Sequence, residues 1–313
     1  RHTRCLSDWS SDVCSSDLGP ITWLNPFPAG GGTDVFARPL AAQVAEQIGQ
    51  QIIIDNKGGA GGTVGASQAA KMKPDGSAFF VGAVHHTIAP AIYKKLDYDL
   101  ETSFEPITMI ALVPQVISIN PTRVPVKNYA EFLAYLKANP GKVNYASPGP
   151  GTAHHLAGEL FKLETKTEIT HVPYRGAGPA MQDLLAGNVD MMFDGMGTSA
   201  SQIRTNRLLG LAVATPQRNP EFPDIPTAAE IGVPNWIVST WYGLWALKGT
   251  PQPIVDRMYA ECVKAMATPK LHAIWKDQLA QVGGETPAEF AKRIRAEIEK
   301  WQKVVTAAGV KLD

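Results

Sequence analysis

The chain has 313 residues, of which 44% are hydrophobic and 19% charged, a composition that fits a globular protein too long for one core and expected to form two lobes. Lysine plus arginine (29) equal aspartate plus glutamate (29), so neither nucleic acid nor an anionic membrane surface is indicated as a partner. No run approaches the ~18 to 20 apolar residues of a membrane span.

Residues 1–18 are rich in Ser and Asp, lack apolar periodicity and lack the apolar stretch of a signal peptide. They are expected to be a leader outside the fold, resembling a translated adapter. Two of the three cysteines, Cys5 and Cys14, lie in it. Cys262 is then alone within the fold, which excludes a disulfide scaffold and a structural zinc site there.

From Pro20 onward, short apolar runs alternate with helical patterns, the signature of parallel strands joined by crossover helices. Ile21 to Asn25 reads as a strand. A helix over Asp34 to Ile48 follows, with Phe36, Leu40, Val44 and Ile48 on one face, then strands at Ile52 to Asp55 and Ala78 to Gly82. A second series starts with a strand at Gln115 to Ile119 and a helix over Tyr129 to Ala138. It continues with strand 144–146, helix 153–163, strand 169–172, helix 179–186 and strands at 191–193 and 208–214. Near the C-terminus, Thr286-Pro287-Ala288-Glu289 combines a capping box with proline at the first helical position. The helix it opens places Phe290, Ile294, Ile298, Trp301 and Val305 on one face and is expected to return to the first lobe. The expected division is therefore lobe 1 over 19–116 plus 240–313 and lobe 2 over 117–239. These two open α/β lobes are joined by two crossover segments, with a ligand cleft between them.

Three strand-to-helix turns are built from small residues: 28–33 (PAGGGT), 58–63 (GGAGGT) and 147–152 (SPGPGT). In open α/β sheets ligands sit at the carboxyl ends of strands, where glycine lets backbone amides approach them and a helix N-terminus favours an anion. No turn carries a phosphate-loop lysine or completes G-x-G-x-x-G, so carboxylate is favoured over phosphate or a dinucleotide and no cofactor is called for.

Nine motifs in order resemble the periplasmic receptors of tripartite tricarboxylate transporters, the Bug receptors. They are PFPAGG (26–31), GAGG (59–62), PDG (74–76), PAIY (90–93), NYAS (144–147), HLAGELF (155–161), HVPYRG (171–176), MFD (192–194) and WYGL (241–244). The resemblance implies an α/β type II periplasmic binding protein that captures a small carboxylate for membrane permease subunits. It further implies periplasmic localisation, no catalysis and, as expected here, a monomer. Carried over residue by residue, it nominates Phe27, Ala29, Gly30 and Gly31 on one side of the cleft and Ser147, Gly151 and Thr152 on the other. Tyr174, Gly176 and Asp194 are expected to complete the second wall.

Other reactive-looking residues have plainer readings. The pairs His85-His86 and His154-His155 invite a metal, but adjacent helical residues project about 100° apart and no H-E-x-x-H occurs. His86 is expected instead to face the cleft and donate a hydrogen bond to a carboxylate. Ser147 with His154 suggests a hydrolase as the rival reading, although the nucleophile-elbow glycine is missing; a sensing subunit for a membrane kinase is another. Arg175 could fork a carboxylate or sit in solvent, and Trp241 and Tyr242 are expected to pack where the lobes cross.

Overall fold

The computed structural model of the protein describes residues 19–311, so the leader-like segment with Cys5 and Cys14 lies outside the described residues. In the first lobe, β1 (Ile21–Asn25), β2 (Ile52–Asn56) and β3 (Ala78–Ala83) pair in parallel in the order β2-β1-β3. Every residue of β3 is buried, as a strand covered on both faces requires. The helices α1 (Gly32–Ile48), α2 (Thr63–Ala69) and α3 (His85–Ile92) follow these strands in turn.

The long strand β4 (Phe104–Ile119) joins the two halves. Its first part pairs antiparallel with β9 (Ser239–Leu247), from Phe104 opposite Leu247 to Pro114 opposite Ser239. Its last part, from Gln115, pairs instead with β7 (Met191–Gly195) and β8 (Leu209–Val213). The chain thus passes between lobes inside one strand and returns along β9. Where the two exchange partners, the Gln115 side-chain amide donates to the Thr240 hydroxyl at 3.1 Å.

The second lobe carries β5 (Asn144–Ser147) parallel to both β6 (Thr170–Pro173) and β7. Its helices are α4 (Tyr129–Ala138), α5 (Ala153–Thr165), α6 (Ala177–Ala186) and α7 (Met196–Arg204). After β9 come α8 (Gln252–Met266), α9 (Pro269–Asp277), the two-residue β10 (Gln281–Val282) beside β4, and α10 (Pro287–Ala308). The capping box at Thr286 and Glu289 is formed, and α10 lies against α3 and β4. Phe290 from its first turn packs on Trp241 and Trp245, with ring centroids 5.6 and 4.8 Å away. One apolar cluster continues between the halves, from Phe80, Phe104 and Trp245 to Phe132, Phe161, Phe193 and Trp236.

The structure extends the sequence reading in several places, among them the helix α7, the start of β4 and the helix α3. β4 begins eleven residues before Gln115, because Pro106 and Pro114 break the alternation that marks a strand; the ladder with β9 nevertheless runs through both, with register shifts after Pro106 and after Met109. Helix α3 was not anticipated, since its residues His85 to Ala89 and Ile92 are all buried and show no polar face.

Candidate functional site

A cavity lies between the lobes at the carboxyl ends of the parallel strands. Its space is about 600 Å³ when the open mouth and the solvent in it are counted. Three helix N-termini form much of its wall: Gly31, Gly32 and Thr33 at α1, Gly176, Ala177 and Gly178 at α6, and Gly195, Gly197 and Thr198 at α7. Each of these helices has glycine at the N-cap and no side-chain cap. Their first-turn amides have no intrahelical partner, so they are open to an acceptor placed in the cavity. No Lys or Arg is among the described residues that line it. An anion there is attracted by the helix termini at roughly 0.3 to 1 kcal/mol each, up to ~2 when partly buried. Desolvating a carboxylate costs several kcal/mol, so direct amide hydrogen bonds must supply the balance.

In the turn of the first lobe, side chains hold the backbone from behind. Asn25, at the end of β1, accepts the Phe27 amide through Oδ1 and donates through Nδ2 to Asp34. Asp34 also takes the Gly30 amide at 3.0 Å, the Arg38 guanidinium at 2.7 Å and the Asn56 amide at 3.2 Å. Burial pushes the Asp34 carboxyl upward, but these donors outweigh it and hold the group below its ordinary value. The Gly30 amide is therefore committed to Asp34, and Gly30 does not line the cavity, whereas Phe27, Ala29 and Gly31 do. Gly32 is forced by tertiary contact: a Cβ there would lie 2.0 Å from the Tyr242 hydroxyl oxygen.

The corresponding turn of the second lobe is closed on itself. Ser147 Oγ accepts the Gly149 amide, His155 Nδ1 accepts the Gly151 amide, and the Thr152 hydroxyl donates to the Gly149 carbonyl and caps α5 at His155 N. Ser147, Gly151 and Thr152 are buried and do not line the cavity; Pro148 is the lining residue of this turn. Ser147 also meets His171 Nε2 at 2.6 Å, and the His171 ring stacks on His155 at 3.9 Å. The serine thus pairs with His171 rather than His154, inside the lobe. Burial pushes His155 down to about 4 and His171 to about 3.

Other expected positions divide in the same way. Gly176 and Asp194 line the cavity, but Tyr174 does not, and its hydroxyl donates to Asp183 of α6 at 2.7 Å. His86 does not face the cleft as expected. It is fully buried, with Nδ1 beside the Ala83 backbone at 3.0 Å and Nε2 3.3 Å from the Gly62 carbonyl, and burial pushes it down to about 4. The lining histidines are its neighbour His85 and His154. Arg175 is exposed and outside the lining. Among the described residues no group of three His, Cys, Asp or Glu side chains could hold a metal.

The sequence reading missed several lining residues, among them Tyr242, Thr198, His85 and His154. Only the strand-end position of His85 and His154, each opening a helix after a strand, offered a signal. Tyr242, expected from sequence to pack where the lobes cross, has its ring 5.3 Å from Phe36, and both line the cavity. Asp194 Oδ2 accepts from the Thr198 and Ser199 hydroxyls, the latter at 2.8 Å.

The lobes touch around the cavity. The Ala153 amide donates to His85 Nδ1 across the cleft at 2.9 Å, and the Tyr93 hydroxyl lies 2.9 Å from the Ala60 carbonyl oxygen and 3.3 Å from that of Pro150. A Cβ on Gly61 would sit 2.5 Å from the Pro150 oxygen.

Two α/β lobes sharing β4 and β9, with a cavity at the strand ends between them, define a two-lobed solute-binding protein. The chain matches the family model of the tripartite tricarboxylate transporter family receptor over residues 36–310 and belongs to that family. It is accordingly a binding protein and not an enzyme. Three solved structures are similar over nearly the whole chain. The periplasmic binding protein BugD is 35% identical, with a TM-score of 0.89, covering 94% of this chain and 99% of that one. Rpa4515 of R. palustris with adipate is 33% identical, with a TM-score of 0.90, covering 95% and 100%. MatC (Rpa3494) of Rhodopseudomonas palustris with bound malate is 33% identical, with a TM-score of 0.87, covering 92% and 99%.

Proposed function

We propose that this receptor captures a small carboxylate in the periplasm by closing its two lobes on it, and delivers it to the membrane permease subunits of a tripartite transporter. The observation that carries the reading is the convergence of three glycine-capped helix N-termini, of α1, α6 and α7, on a cavity that no Lys or Arg among the described residues lines. Such a wall offers hydrogen-bond donors to an acceptor-only group without a fixed cation. The adipate and malate held by two relatives support the same chemistry.

In this reading lobe 1, 19–116 with 240–313, and lobe 2, 117–239, rotate about the exchange of partners at Gln115 and Thr240. One carboxylate end rests on the amides of Gly31 to Thr33, and the other wall comes from Gly176 and the α7 terminus. The four exposed large hydrophobics among the described residues, Ile53, Val64, Leu163 and Ile237, lie on four different segments, which supports a monomer. Calorimetry with C4 to C6 dicarboxylates is the test. Saturable binding of at least one, with heat capacity falling on closure, is expected. No binding across that series, with a folded protein, would overturn the reading.

A further inference from the structure

Helix α3 of the first lobe meets, at both of its ends, the turn that opens α5 in the second. At its first residue, His85 Nδ1 accepts the Ala153 amide at 2.9 Å. Ala153 is the first residue of α5, and the N-cap Thr152 takes the amide of His155 instead. The Ala153 amide has no acceptor within its own helix, so the first lobe supplies one. At the other end Tyr93, the C-cap of α3, reaches the same turn. Its hydroxyl lies 2.9 Å from the Ala60 carbonyl oxygen of its own lobe and 3.3 Å from that of Pro150. Between these points Gly151 lies against α3: its φ of +76° suits glycine, and a Cβ there would lie 3.4 Å from the Tyr93 ring and 3.5 Å from Ile92.

We propose that the turn from Gly149 to Ala153 is a latch that seats the second lobe on α3 when the lobes close, and that His85 makes this latch sensitive to acid. This rests on the two-lobe closure read above but not on which solute is held. The latch needs a neutral ring, because Nδ1 accepts only while it carries no proton; an imidazolium would turn an N–H toward the N–H of Ala153. The surroundings do not favour the charged form. The ring sits at the N-terminal ends of α3 and α5, where a positive charge is disfavoured. The titratable groups facing it are His86 on its own helix and His154 of α5, with ring centroids 5.6 Å apart in the second pair, and Phe27 lies 5.2 Å away on the cleft side. The carboxylate of Asp194, on β7, lies behind His154, 3.6 Å from its Nε2. Burial first, then the two histidines, hold His85 well below its ordinary value while the lobes are together. When they part, the ring leaves Ala153 and His154 and meets water, so opening takes up a proton. Closure is therefore at full strength above about pH 6.5 and weakens as the pH falls below it.

The test is stopped-flow kinetics and calorimetry on the full chain with the tightest binder among succinate, glutarate and adipate. Tyr93 does not line the cavity, so Tyr93→Phe should raise the dissociation rate about fivefold and leave the association rate within about twofold, because solute enters while the lobes are apart. His85→Asn keeps an acceptor near Nδ1 and does not titrate. Between pH 7.5 and 5.5 the dissociation constant of the unaltered chain should rise about tenfold more than that of His85→Asn, the acid's own ionisation being common to both. A His85 that held the anion directly would give the opposite sign, with binding strengthened by acid. An unchanged dissociation rate in Tyr93→Phe would overturn the latch, and an equal or reversed pH response of the two proteins would overturn the role of His85. Should a variant not fold, a dissociation constant of the unaltered chain that does not rise on acidification overturns the proposal. If none of the three acids binds, the carboxylate reading fails, and small-angle scattering on the chain alone decides the latch. A radius of gyration that grows no more in the unaltered chain than in His85→Asn, from pH 7.5 to 5.5, would then overturn it.

Discussion

The turns at 28–33 and 147–152 are written in nearly the same residues and stand in equivalent places, each between a strand and a helix. Their amides have opposite fates. In the first, side chains behind the turn hold it open: Asn25 and Asp34 take the Phe27 and Gly30 amides, and the first turn of α1, capped by Gly31, faces the cavity. In the second, Ser147, His155 and Thr152 satisfy the turn from within, and only Pro148 reaches the cavity. Glycine makes a close approach possible; whether a ligand or the protein itself takes the amides depends on which acceptors the next helix carries.

Acid should weaken the second turn, through His155 and His171, together with the His85–His86 end of α3. Four histidines are depressed, His86 and His155 to about 4, His171 to about 3 and His85 well below its ordinary value, each chiefly by burial. The unfolded chain binds protons below about pH 6.5 and the folded chain does not, so stability is full above that pH and falls between about 6.5 and 4. The upper bound on the slope is about 1.4 kcal/mol per pH unit for each histidine. Urea midpoints measured from pH 7.5 to 4 should fall throughout that window, and a flat profile would contradict the placement of these rings.

Gly31→Asp tests the open turn. Its φ of −80° and the space around its Cβ position, 3.6 Å from the nearest atom, accept a side chain, but the new charge sits at the α1 N-terminus. Carboxylate affinity should drop by about 100-fold, equivalent to ~2.7 kcal/mol, with the melting temperature shifted by only a few degrees. Unchanged affinity would place the anion elsewhere.

Gly61→Ala tests closure without touching the cavity lining. Its Cβ would press on the Pro150 oxygen of the opposite lobe, and its φ of +62° disfavours a side chain. Affinity should fall about tenfold through a smaller closed population, and small-angle scattering at saturating ligand should show a larger radius of gyration.

Ser147→Ala has the smallest expected effect on binding and sharpens the contrast with Gly31→Asp. It leaves the Gly149 amide without its acceptor, so stability should fall by about 1 to 3 kcal/mol in denaturant unfolding. Carboxylate affinity should stay within about threefold.

Much of the fold was legible because local periodicity reports which face of an element is covered. The strands at 21–25 and 78–82, the helix bearing Phe36 and Leu40, and the capping box at Thr286 are all decided within a few residues. The length of β4 was not, because Pro106 and Pro114 interrupt its pattern and only the β9 ladder keeps it extended. At the site, the Pro28 to Thr33 turn was visible as glycine before a helix. The choice between His85 and His86 was not, since the two are adjacent in sequence and only the backbone of Ala83 and Gly62 draws the second ring inward.

By itself, then, the sequence determined an α/β chain with glycine turns at strand ends and no phosphate-loop lysine, because those are properties of local spacing and residue type. Only the tertiary structure decided which turn stays open. That outcome depends on acceptors brought to the turns by folding, Asp34 behind one and His155 and Ser147 within the other, and on the α6 and α7 termini arriving from distant parts of the chain to complete the cavity wall.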